Sequence, residues 1–167
     1  EVGPILAHAP AGLRDGEYWS RILIRATGGR PPVEQEVQPD VRVAINMRTI
    51  IVASLNYRKG AVTTGIRVDS ARAVMGSDSL RLMLDLARTG DAAYLGSIRV
   101  ELLAADGSVL VQEEDIVSVY RTLRRRFVFP VTSGAVRARY TIETKRPELG
   151  EANILTAPPV SGTVDVK

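Results

Sequence analysis

The chain has 167 residues, of which 45% are apolar and none is cysteine, and its formal net charge is +3. That length suits one large β domain or one and a half ordinary ones. The lack of cysteine excludes a disulfide framework, a thiolate metal site and a cysteine nucleophile. No apolar run approaches the roughly 18–20 residues of a membrane-spanning helix. No signal-peptide pattern is present either, and a cleaved export signal would leave no trace.

The isoelectric point is about 9.5. All of the 22 basic residues are arginine except Lys59, Lys145 and Lys167, and they are scattered among 19 acids. Arg124, Arg125 and Arg126, with Arg121 just before them, form the only basic cluster. A nucleic-acid surface calls for a basic stripe interleaved with exposed aromatics. With so few aromatics, the cluster reads as a solvated strand edge.

Along the chain, a short apolar segment lies at Ile5–Ala7 between Pro4 and Pro10. Gly12 and the Asp15-Gly16 pair signal a turn. From Tyr18 the sequence alternates. Tyr18, Ser20, Ile22, Ile24 and Ala26 fall on one face of a strand, and Trp19, Arg21, Leu23 and Arg25 on the other. Tyr18 and Trp19 are expected to pack in a core, with the tyrosine hydroxyl hydrogen-bonded; an aromatic contact surface is the alternative. Residues 28–40 are rich in Gly, Pro and acids and read as a loop. A short alternating run, Val41 to Asn46, leads into the segment Arg48–Lys59, RTIIVASLNYRK. Its β-branched and aromatic residues predict a strand that needs cover on both faces. Ile51, Ala53, Leu55 and Tyr57 share one face, and Ile50 and Val52 the other.

Residues 60–63, GAVT, form a hinge-length connector. TGIRVDSARAV then reads as a strand. SLRLMLDLARTG fits a helical spacing at Leu80, Met83, Leu84 and Ala87, but it also alternates cleanly at Leu80, Leu82, Leu84 and Leu86. Its length and its neighbours favour a strand. SIRVELLAADGSVLVQEE is a hairpin turning at Asp106-Gly107. IVSVY and RRRFVFPV supply two more strands, SGAVRARYTIETK another, and GTVDVK closes the chain. Seven or eight strands over about 100 residues make one β-sandwich. The chain is therefore expected to be all-β: a partial sandwich over residues 1–60, then a complete immunoglobulin-like one over residues 61–167. A faint repeat supports this, since LRDGEYWSRILI and VTSGAVRARYTI both place a turn glycine before an alternating strand with an arginine.

Catalysis has little support. His8 is the only histidine, and no motif surrounds it. Glu113, Glu114 and Asp115 lack the spaced oxygen ligands of a calcium loop and read as a solvated turn. No glycine-rich phosphate loop runs from a strand into a helix. Neither a cofactor nor a metal is expected.

The pattern PAGLRDGEY, an alternating strand, a variable loop, an apolar strand ending NYRKGAV and then LARTGDAAYLGSIRVELLAADGSVL resembles the periplasmic chaperones of pilus and fimbria assembly. RRRFVFPV and SGAVRARYTI resemble later strands of that family's second domain. The resemblance implies two immunoglobulin-like domains, the first lending an apolar strand to a pilus subunit. On it, Arg48, Ile50, Ile51, Val52, Ala53, Leu55 and Tyr57 bind the partner, in the periplasm, with an outer-membrane usher as a further partner and self-association open. A tyrosine corner at Gly16-x-Tyr18-x-Ser20, as in immunoglobulin-like sandwiches, would put Ser20 at a core position. The family's cleft lysine has no clean counterpart: Ser54 stands near its place, Arg48 lies upstream, and Arg58 and Lys59 close the strand. Its cleft arginine falls on no residue of this sequence. Strand donation is physically sound, because an extended segment completes another protein's sheet while alternate side chains fill its groove. Burial of both faces in the protein's own sandwich is the plainer alternative for this strand. A structural or adhesive module of the bacterial cell surface, binding through loops, is the alternative function.

Overall fold

A computed structural model describes residues 8–27, 48–145 and 154–167. Regular structure among them is entirely β: β1 (Gly16–Thr27), β2 (Arg48–Lys59), β3 (Thr64–Met75), β4 (Ser79–Gly90), β5 (Tyr94–Leu103), β6 (Val109–Val119), β7 (Thr122–Pro130), β8 (Arg137–Glu143) and β9 (Val160–Asp165). The short run at Val41–Asn46 and the loop before it lie outside the described residues. The chain divides into two compact units. One is Glu17–Arg58, and the other joins the chain up to Gly16 with Lys59–Lys167.

The larger unit is a two-sheet sandwich. One sheet runs β3-β4-β7 and the other β6-β5-β8-β9, with antiparallel pairing throughout. Alternation decides which side chains go inside. On β4, Leu80, Leu82, Leu84 and Leu86 are buried while Arg81 is exposed, so the strand reading of this segment holds and its helical spacing is incidental. Those leucines share one core with Phe127 and Phe129 of β7, with Tyr94, Ile98, Val100 and Leu102 of β5, and with Tyr140 and Ile142 of β8. Each fully buried Leu or Ile contributes about 1.5–3 kcal/mol, so this cluster is the main source of the unit's stability.

The β5–β6 hairpin turns where Asp106-Gly107 predicts it. Gly107 has φ 86°, and its amide donates to the Ala104 carbonyl at 3.0 Å. A left-handed residue there favours glycine. The strand that follows corrects the sequence reading. Glu113–Asp115 is not a solvated turn, and Ile116–Val119 is not a separate strand, because both belong to the unbroken β6. Pairing with β5 runs on through Val100↔Glu113, Arg99↔Glu114 and Ile98↔Asp115. Asp115 sits two residues before the buried Val117, on the inward-facing side, and is ion-paired there with Arg125 of β7. That pairing removes the cost of turning a carboxylate inward. It also places charge between two edge strands, which discourages edge-to-edge association.

The arginine triplet is divided by the same alternation. Arg124 and Arg126 are exposed, whereas Arg125 is half-buried, with its guanidinium 5.5 Å from the Phe127 ring centre. On the opposite side the chain end closes the sandwich. The Met75 amide donates to the Lys167 carbonyl at 2.8 Å, and the Lys167 amide donates to the Ala73 carbonyl at 3.1 Å.

The connector before β3 is fastened rather than loose. Thr63 donates its amide to Asp91 Oδ1 at 2.7 Å, and its carbonyl accepts from the Asp91 and Ala92 amides. The backbone bond from Thr63 is the main reason the Asp91 carboxyl is held below the usual carboxylate range. Gly90, with φ 82°, has no room for a side chain, since an added Cβ would lie 2.6 Å from the Thr63 carbonyl oxygen.

Candidate partner-binding site

The described residues of the smaller unit form a ribbon of two hydrogen-bonded strands, β1 and β2. Ile, Val, Leu and aromatic side chains make both segments strand formers. A sheet of two strands leaves each strand one main-chain edge without a strand partner among the described residues. An edge of this kind is the template on which another chain adds a strand.

Every residue from Arg48 to Tyr57 is exposed. Ile51 (55%) and Ile50 (50%) stand on opposite faces of the strand and are about equally bare. Val52, Ala53, Leu55 and Tyr57 are exposed as well. Burial of both faces in the protein's own sandwich is therefore not what the described residues adopt. Trp19 and Tyr18 were expected in a core, and here too the outcome differs. Trp19 is 56% exposed and Tyr18 is half-buried, while Ser20, which a tyrosine corner would put in a core, is exposed. Alternation identifies faces correctly but does not say which face another element covers. Leu23 and Ile24 are also exposed, so β1 extends the apolar surface beyond the residues of β2. Their place in the alternating run is the signal for this in the sequence.

The root of the ribbon is polar and tied. Arg58 Nε donates to Glu17 Oε1 at 3.0 Å, and the Glu17 side chain is only 2% exposed. Lys59 Nζ donates to the Leu13 carbonyl at 2.5 Å. The two basic residues at the end of β2 are thus engaged locally. Arg48, at the other end, and Ser54 are exposed.

Contiguous exposed apolar surface on a soluble protein marks an interaction site. A two-stranded ribbon is also marginally stable without something packed on it. The chemistry available among its described residues is main-chain hydrogen bonding plus burial of branched and aromatic side chains. Among the described residues, no group of three or more His, Asp or Glu side chains is placed to hold a metal ion. A depression of about 310 Å³ lies on the sandwich between Ser97, Glu114, Asp115, Ile116 and Lys145. Asp115 is already paired with Arg125, and Glu114 lies 3.9 Å from Arg99. The chain matches no protein-family model, no curated protein and no solved structure.

Proposed function

We propose that this chain is a non-catalytic, chaperone-like protein for the assembly of bacterial pili or fimbriae, working in the periplasm and binding fibre subunits by β-strand donation through β2. The observation that carries the reading is the exposure of Arg48–Tyr57 on both faces of a strand in a two-stranded ribbon. A donated strand needs apolar side chains on the face entering the subunit and a main-chain edge, and β2 offers both. The internal repeat supports the same reading. It aligns β1 with β8, and β8 and β9 form the closing pair of the sandwich's four-stranded sheet. The ribbon then corresponds to the closing pair of a second immunoglobulin-like sandwich, whose last strand is β2.

The arginine-lysine anchoring of a subunit's terminal carboxylate is not part of this proposal. Arg58 and Lys59 have partners of their own, and Ser54 cannot supply a positive charge. Affinity rests on the strand.

The test is co-expression with candidate fibre subunits, followed by isolation of a one-to-one complex. Ile51→Asp with Leu55→Asp places two carboxylates where apolar contact is required. Loss of anchors of this kind weakens binding by about 2 kcal/mol or more each, so the complex should disappear. Circular dichroism and thermal unfolding of the sandwich should stay unchanged. A complex that survives the double substitution rules out donation through β2. Failure to bind any subunit would favour the structural or adhesive module.

A further inference from the structure

The outer face of the β3-β4-β7 sheet carries a patch that strand donation does not use. Strand register sets three rows across it: Val74, Arg81 and Val128; Arg72, Met83 and Arg126; Ser70, Asp85 and Arg124. All four arginines are exposed, and Val74 and Val128 are 44% and 50% exposed. Four arginines against one aspartate leave three net positive charges, as many as the formal net charge of the whole chain. Asp85 is taken up by Arg124, through Nε to Oδ1 at 2.6 Å and Nη2 to Oδ2 at 3.1 Å. Arg81 and Arg126 have no ion-pair or hydrogen-bond partner among the described residues.

The shape and composition of the patch narrow its occupant. Neighbouring strands lie about 4.8 Å apart and successive outward residues about 6.8 Å apart, so the rows form a flat area of roughly 10 by 14 Å between Cα positions. None of the nine residues is aromatic, and Phe127 and Phe129 of β7 are turned into the core. Single-stranded nucleic acid, which needs stacking platforms, is disfavoured. Val74, Met83 and Val128 are interspersed among the arginines, whose longer side chains reach further from the sheet. An anionic lipid surface suits that arrangement, since the arginine heads meet its phosphates first and a headgroup layer requires no fitted pocket.

We propose that this sheet face docks the protein reversibly on an anionic phospholipid surface. The attachment is peripheral and electrostatic. Each basic residue close to such a surface strengthens partitioning by about fivefold, so three net charges give on the order of a hundredfold. It weakens with salt, because the charges are solvent-exposed.

The full chain is sedimented with vesicles of phosphatidylcholine, with and without phosphatidylglycerol. Binding to the phosphatidylglycerol vesicles alone is expected, with loss in high salt. Arg81→Glu with Arg126→Glu should lower it by at least tenfold while thermal unfolding is unchanged. Arg137→Glu with Lys145→Glu makes the same change in net charge away from this face and should retain most of the binding. The proposal is overturned by any of three results: no binding to the anionic vesicles, equal loss in both double variants, or binding to soluble polyglutamate as tight as to the vesicles. The last would identify an acidic protein as the partner.

Discussion

Arg58 and Glu17 close the root of the β1–β2 ribbon with a 3.0 Å charge-assisted hydrogen bond, and the glutamate is almost wholly shielded from water. A ribbon with both faces of β2 exposed has little apolar burial to hold its strands together, so this pair is disproportionately important. Glu17→Ala leaves a half-buried guanidinium without its carboxylate and should ease opening of the ribbon by about 1–3 kcal/mol. Amide hydrogen exchange in β1 and β2 would then accelerate about 5- to 150-fold, with little change at the core amides of β4 and β5. Uniform acceleration across both units would show that the pair supports more than the ribbon.

Acid should destabilise the sandwich through named carboxylates. Glu101 is held below the usual range chiefly by its bond from Arg139 Nε at 2.7 Å, and Asp91 chiefly by the Thr63 amide. A carboxyl lowered in the folded state adds stability that is complete above its unfolded value, about pH 4, and is lost as pH falls through the folded value. The unfolding temperature should be level from neutrality to about pH 5 and fall below about pH 4. Asp91→Asn should make that fall shallower, as should Glu101→Gln. Equal acid sensitivity in both variants and the parent would assign the effect to other groups.

Tyr94 offers the opposite test. Its ring is fully buried at the start of β5, and its hydroxyl has no hydrogen-bond partner among the described residues. Burial, with Glu143 nearby, pushes the phenol well above its ordinary value. A group raised in this way contributes stability that is full below its unfolded value, about pH 10, and is lost as pH rises beyond it. Tyr94→Phe removes an unsatisfied buried hydroxyl, so it should leave stability unchanged or raise it by about 1 kcal/mol. It should also flatten the alkaline loss in a series of unfolding curves. A clear destabilisation at neutral pH would mean that the hydroxyl makes a contact in solution.

Alternation carried most of the fold. The four leucines of β4 and the Asp106-Gly107 turn are local signals, and local signals set strand period and hairpin position. What alternation misses is the response of one strand to another. Glu113–Asp115 looked like a turn because three acids in a row rarely continue a strand, yet Arg125 arrives from β7 to neutralise Asp115. The arginine triplet looked like a single edge feature, yet its middle member turns inward and its neighbours turn outward. The ribbon shows the same limit in reverse. Trp19 and Ile51 have the composition of core residues, and whether anything lies over them is a property of tertiary or quaternary packing.

Trp19 makes the proposed role observable without a label. It is the only tryptophan in the chain, lies on β1 and is 56% exposed. Its emission should therefore resemble that of a solvated indole in the isolated protein. A subunit strand that pairs with β2 and covers the ribbon would transfer apolar surface out of water around that ring. Addition of a cognate subunit without tryptophan should shift the emission to the blue and protect it from quenching by iodide. The Ile51→Asp, Leu55→Asp variant should show neither change, because its fluorophore is intact and only the donated surface is altered. A blue shift that persists in this variant would place the contact on β1, and donation through β2 would have to be abandoned. No shift in a mixture that still forms the one-to-one complex would place binding away from the ribbon altogether.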